Sequence, residues 1–94
     1  MTIVWSARAV RHLDRLRAFI ARDRPGAAGN VAAAILVSVD RLAQHPGFGR
    51  AGRVPGTREL VVHGTPYVVP YRVRNDRLEI IAIFHGRQRW PERL

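Results

Sequence analysis

The sequence has no cysteine and no lysine. The first absence excludes a disulfide scaffold and any cysteine-based metal centre, and it fits a reducing compartment. The second means that all sixteen cationic side chains are arginine. Acidic residues are scarce, at seven, so the formal net charge is +9. A sustained apolar run is missing too. No stretch approaches the roughly 18–20 apolar residues of a membrane span, and Met1 to Arg8 lacks the basic-then-apolar build of a secretory signal. The expected location is the cytoplasm, with no membrane partner.

What is present describes one small folded unit. At 94 residues the chain is read as a single domain, 1–94. A chain this short hides about 60–65 % of its unfolded surface, enough for one modest core. Apolar residues make up 47 %, ordinary for a globular protein and too many for a disordered one. A charge of +9 on so small a body projects a strong positive field. Its natural partners are nucleic acid, an acidic protein or an acidic ligand. Arginine suits planar, bidentate contact with phosphate or carboxylate.

Local patterning predicts β-α-α-β-β-β. Thr2 to Trp5 is β-branched and apolar, so a strand is expected, and Ser6 is a good helix N-cap. Ala9, Leu13, Leu16 and Ile20 then recur at steps of three and four, with Arg8, Arg11, Arg15 and Arg22 on the other side. Arg24-Pro25-Gly26 breaks that helix. Ala28, Val31, Ile35, Val39 and Leu42 mark a second, which stops at His45-Pro46-Gly47. So short a connection predicts an αα-hairpin. A glycine- and proline-rich loop follows, residues 46 to 56, and the period then becomes two. Strands are expected at Arg58–Val62, Tyr67–Arg74 and Arg77–Phe84. Pro70 inside the middle one predicts a bulge or an unpaired edge. Asn75-Asp76 suits a tight hairpin turn. In the last strand Leu78, Ile80, Ala82 and Phe84 should share one face, with Ile81 and Ile83 on the other, which predicts a central position. The helical hairpin should cover one face of a twisted, mostly antiparallel sheet in an α+β domain.

Several chemistries find little support. His12, His45, His63 and His85 fall in four different elements without the paired spacing of a zinc site, so no metal is expected. Gly47-Phe48-Gly49-Arg50-Ala51-Gly52 follows a helix and lacks the P-loop lysine, so no nucleotide cofactor is expected either. Ser6 is better used as a cap, and Ser38 sits within a helix. The arginine stripe on the first helix reads mainly as an exposed polar face. The sheet region is richer. Arg50, Arg53, Arg58 and Arg72 would bind a polyanion if they converge. With a base, an acid and cations for the phosphorane charge, such a set would also cleave RNA without metal. Alternation works against full convergence, because neighbours on a strand point to opposite faces. Tyr67 and Tyr71 read as core aromatics with wet hydroxyls, and Trp90 as packing back on the domain.

The order and wording of the motifs carry a resemblance. Trp5-Ser6 before the helical hairpin, Pro46 to Arg53 (PGFGRAGR), Gly56 to Val62 (GTRELVV), Thr65 to Val73 (TPYVVPYRV) and His85 to Pro91 (HGRQRWP) together resemble the RelE/ParE superfamily. These are toxins of type II toxin–antitoxin modules, and the resemblance spans nearly the whole chain. It implies the β-α-α-β-β-β fold, an intracellular growth inhibitor, and neutralisation by a tightly bound antitoxin. Ribosome-dependent RNases of the RelE branch carry an arginine after the tyrosine of the middle meander strand. They also carry one past the last strand and often a tyrosine in the tail. Here Val68 and Gln88 hold the first two positions, and no tyrosine follows Tyr71. The HGRQRWP ending and the GTRELVV segment look more like ParE, whose members poison DNA gyrase. The resemblance therefore implies gyrase as target, with ribosome-bound mRNA or a non-toxic antitoxin- and DNA-binding role as alternatives.

These implications assign residues. His85, Arg87, Gln88, Arg89 and Trp90 are the expected toxic surface, projected from the end of the last strand. Were the protein an RNase, Glu59, Arg58, His85 and Arg87 would be its catalytic set. The antitoxin is expected to be acidic, ParD-like or related, and to bring operator DNA into the complex. It should lay an amphipathic helix by the helical hairpin near Val37 and add an extended segment to a sheet edge.

Overall fold

The structure, a computed structural model, describes residues 1–94. Strand β1 (Thr2–Trp5) leads into helix α1 (Ala7–Asp23) and helix α2 (Pro25–Gln44). Five strands follow: β2 (Arg50–Ala51), β3 (Arg58–Val61), β4 (Tyr67–Arg74), β5 (Arg77–Ile80) and β6 (Phe84–His85). The expected α+β architecture is present, with one strand more at each end of the meander than the period predicted. β2 lies inside the glycine-rich loop, too short to carry a period of its own.

The helix boundaries have local causes. Ser6 caps α1, its Oγ accepting from the Ala9 amide at 2.9 Å. The same hydroxyl donates to the Ile81 carbonyl at 2.7 Å, which ties the start of α1 to the sheet. Only Arg24 separates the helices, and Pro25 opens α2, where a missing N–H costs nothing. α2 is 20 residues long, and by length and composition it would suffice to cross a membrane. In that respect the sequence expectation was too strict. Its Ala28, Ala32, Ile35, Val39 and Leu42 are instead buried. Ile35, Val39 and Leu42 join Ala9 and Leu16 of α1 and Leu60, Val62, Val69, Tyr71, Leu78 and Ile80 of the sheet in one core. Each large apolar side chain hidden there contributes about 1.5–3 kcal/mol.

The sheet order is β1-β5-β4-β3-β2, with β6 also on β4. β1 runs parallel to β5, and the other pairs are antiparallel. The long hairpin is as patterned: Asn75 and Asp76 adopt φ of 53° and 58° between Arg74 and Arg77. β5 lies inside the sheet, flanked by β1 and β4, but the centre belongs to β4.

The expected single strand Arg77–Phe84 is broken. Tyr71 pairs with Ile80 and Val68 with Phe84. Val69 and Pro70 on β4 thus face three residues, Ile81, Ala82 and Ile83, and the extra residue is a bulge. Pro70 explains its place. Its carbonyl accepts from the Ile81 amide at 3.0 Å, so its ring nitrogen, which has no hydrogen to give, also faces the bulge. Of the two readings of Pro70, the bulge is the one that holds. The bulge also shifts the alternation. Leu78, Ile80 and Ile83 enter the main core, whereas Ile81, Ala82 and Phe84 form a second cluster with Trp90 and Leu94 packed on it. The predicted common face of Leu78, Ile80, Ala82 and Phe84 is therefore divided.

Candidate functional site

Two faces of the sheet carry chemistry, and register decides which residue meets which. The face away from the helices centres on Glu59. It is only 3 % exposed and stands opposite Pro70. Its Oε1 accepts from Arg50 Nε and Nη2 at 3.2 and 3.0 Å. Its Oε2 accepts from the Arg53 amide at 2.8 Å and lies 3.2 Å from Arg53 Nε. Burial by itself would raise the Glu59 pKa. The Arg53 amide, the Arg50 side-chain bonds and the two cationic charges outweigh burial, and the carboxyl is held below its ordinary value.

Arg53 also stacks on Trp90, its guanidinium carbon 3.6 Å from the ring centroid. Trp90 in turn lies on Phe84, with centroids 4.7 Å apart. Glu59, Arg53, Trp90 and Phe84 thus form one stack that fastens the C-terminal segment to the sheet. Beside it Arg72 and Arg74 contact the same Glu79 carboxylate, at 3.3 and 3.1 Å.

The predicted polyanion set is accordingly divided. Arg50, Arg53 and Arg72 lie on this outer face, and each is already engaged by a carboxylate. Arg58 sits one residue from Glu59 and so faces the other way. Its Nη1 donates to the Gly49 carbonyl at 2.9 Å and to Gly47 at 3.3 Å. Tyr71 lies on that inner side, fully buried. Its hydroxyl accepts from the Gly49 amide and donates to the Pro46 carbonyl, both at 2.8 Å. The hydroxyl is therefore not wet. It anchors the glycine-rich loop, and burial raises its pKa despite the Gly49 bond and the nearby Arg58. Gly49 has to be glycine because a Cβ there would meet the Tyr71 ring at 2.6 Å.

The C-terminal cluster divides too. His85 pairs with Tyr67, and the two rings meet edge-on at 5.7 Å. Its Nδ1 accepts from the Arg87 amide at 3.1 Å, and its own amide donates to Gln88 Oε1 at 2.9 Å. Gly86 owes its place to close approach: its amide donates to the Pro66 carbonyl at 2.7 Å, and a Cβ would meet that oxygen at 3.3 Å. Arg87 and Arg89 are exposed and make no salt bridge. Trp90 folds back as expected.

His85 and Glu59 are therefore on opposite faces and on opposite sides of β4. The RNase set of Glu59, Arg58, His85 and Arg87 does not assemble: Glu59 is locked in the outer stack, Arg58 braces a loop, His85 ends β6 and Arg87 lies just beyond it. Nor do three His, Asp or Glu side chains gather as metal ligands would.

A family model described as the ParE toxin of the type II toxin–antitoxin system, parDE, matches residues 3–90. This chain belongs to that family of toxins. Similar proteins include a putative toxin, Y4kP, of Sinorhizobium fredii, 47 % identical over 96 % of this chain and 93 % of its own. Toxin RelE2 of Caulobacter vibrioides is 36 % identical over 89 % of this chain and 93 % of its own. Among solved structures, a chain of the chromosomal ParDE system from P. aeruginosa superposes with a TM-score of 0.83 at 27 % identity, covering 90 % of this chain and 95 % of that one. A chain of the intact E. coli RelBE complex gives 0.66 at 11 % identity, over 93 % and 98 %, a likeness of fold. Membership implies an antitoxin partner for this toxin.

Two features escaped the sequence reading. His12 Nδ1 accepts the Ile83 amide at 3.1 Å, supplying the partner that the bulge takes from that amide. A histidine one turn before buried Leu16 was the available signal. The Tyr71 anchor had none, because its partners lie 22 and 25 residues away.

Proposed function

We propose that this toxin acts by binding DNA gyrase and is not itself a nuclease. What supports the reading is the dispersal of Glu59, Arg58, His85 and Arg87. General acid–base cleavage needs a base and an acid within hydrogen-bond reach of one phosphodiester. Here the carboxylate is hidden under two arginines and the imidazole stands across the sheet. What the C-terminal segment offers is a firmly seated, cationic surface. Trp90 holds it down, Arg87 and Arg89 extend from it, and His85 and Gln88 form its base. We assign that surface to the target.

The antitoxin reading rests on a second surface. β2 covers β3 only at Arg58 and Glu59, so the edge at Leu60 and Val61 has no strand beyond it. Beside it lies a groove of about 480 Å3 lined by Ser38, Arg41, Phe48, Val61 and His63, among others, with no acidic residue. Phe48 is 78 % and Val61 49 % exposed. An acidic segment adding a strand here would pair the free edge and cover both. Val37, 51 % exposed on α2, suits the helix that precedes or follows such a strand. Operator DNA would then be held through the antitoxin.

The test is purified toxin in two assays. Inhibition of gyrase supercoiling, with transcripts in induced cells left intact, is the expected result. Cleavage of ribosome-bound mRNA with gyrase unaffected would transfer the protein to the nuclease alternative. Harmless induction would leave only antitoxin and DNA binding.

A further inference from the structure

Between α1 and the β4–β6 ladder lies a cleft of about 340 Å3, on the helix side of the sheet and away from the Glu59 stack. Its floor is Leu16 and Ile83. Its walls are His12, Arg15, Phe19, Tyr67, His85 and Gln88, without one acidic side chain. The helical wall follows from spacing: His12, Arg15 and Phe19 stand at i, i+3 and i+7 on one stripe of α1.

The polar groups of this cleft are donors. His12 and His85 each use Nδ1 to accept a backbone amide, from Ile83 and Arg87. Each neutral ring thus carries its proton on Nε2, the one polar group it has left to present. Burial, followed by the charges of Arg8, Arg15 and Arg11, holds His12 below its ordinary pKa. Burial raises that of Tyr67, which keeps its hydroxyl protonated, and this hydroxyl makes no hydrogen bond inside the protein. Arg15 is exposed and has no carboxylate partner. At the rim stands Phe19, 68 % exposed, an unpartnered flat ring.

We propose that this cleft binds a nucleotide, with the phosphate against Arg15, the two imidazole N–H groups and the Tyr67 hydroxyl, and the base against Phe19. Four donors and no acceptor wall suit an anion with several oxygens. An exposed aromatic beside an arginine suits a stacked base. The volume holds one nucleotide, either free or as one residue of a single strand. The cleft shares His85 and Gln88 with the surface assigned to gyrase, whereas Arg15 and Phe19 lie outside that surface, so substitutions at these two test nucleotide binding by itself.

The test titrates full-length toxin with uridine 5′-monophosphate, with a hexauridylate and with inorganic phosphate at fixed pH. The readout is the imidazole signals of His12 and His85 by NMR. The monophosphate should move both sets of signals. Phe19→Ala should weaken it about 5-fold or more, the low end of base-on-aromatic stacking, and leave phosphate unchanged. Arg15→Gln should weaken both. Both side chains are exposed, so these variants keep the fold. Hexauridylate binding tighter than the monophosphate would identify a strand as the source, and equal binding a free nucleotide. Signals that stay still at millimolar ligand, or binding that survives both substitutions, would overturn the proposal. So would a Phe19→Ala variant that loses antitoxin affinity while nucleotide binding is unaltered.

Discussion

Glu59→Gln separates a structural carboxylate from a catalytic one. The native side chain takes three hydrogen bonds and one further ion-pair contact: Arg50 Nε and Nη2 donate to one oxygen, the Arg53 amide donates to the other, and Arg53 Nε lies 3.2 Å from that second oxygen. Glutamine puts an NH2 group where one oxygen was. Whichever way the amide turns, one arginine then faces a donor and the charge is gone. Charge-assisted hydrogen bonds contribute about 1.5–3 kcal/mol and neutral ones about 0.5–1.5. Arg50 and Arg53 are half exposed, so water takes up part of what they lose. The net cost expected is about 2 kcal/mol. For a domain of this size that lowers the melting temperature by roughly 10 °C. Calorimetry at pH 7 reads it directly. A general base would behave otherwise, with activity lost and the melting point nearly untouched. A variant that melts within about 2 °C of the wild type would refute the account of the outer face.

Acid should weaken the same contact. The Glu59 pKa is lowered in the folded chain, so its contribution is complete above the ordinary carboxyl range and lost as pH falls through the folded value. His12, also lowered, adds an earlier step: its contribution is present above about pH 6.5 and fades as pH drops through its folded value, because protonating Nδ1 breaks the Ile83 bond. Denaturant melts at pH 8 and 5.5 should show that loss in the wild type and not in His12→Asn, and equal losses would count against it. Tyr71→Phe strands the Gly49 amide and the Pro46 carbonyl together, at about 2 kcal/mol in the same melts. Arg53→Ala uncovers Trp90, so acrylamide should quench tryptophan emission more strongly, and unchanged quenching would mean that the stack does not hold the tail.

The sequence by itself determined the β-α-α-β-β-β order of the main elements, the α1 cap at Ser6, the break at Pro25 and the Asn75-Asp76 turn, though not the short β2 or the division of the last strand. These are short-range matters, settled by periodicity, by φ and by hydrogen bonds within a few residues. The motifs likewise sufficed to recognise the family. Only the tertiary structure decided which functional side chains meet. One extra residue opposite Pro70 reverses the alternation after Ile80, and so assigns Phe84 to the outer cluster and His85 to the helix side. A strand pattern carries no record of a bulge on its partner, because the shift belongs to the pairing of two segments and not to either one. Arginines that look like one basic patch in the sequence are for the same reason distributed over two faces. Whether each is free or spoken for depends on where the sheet puts two glutamates, Glu59 and Glu79.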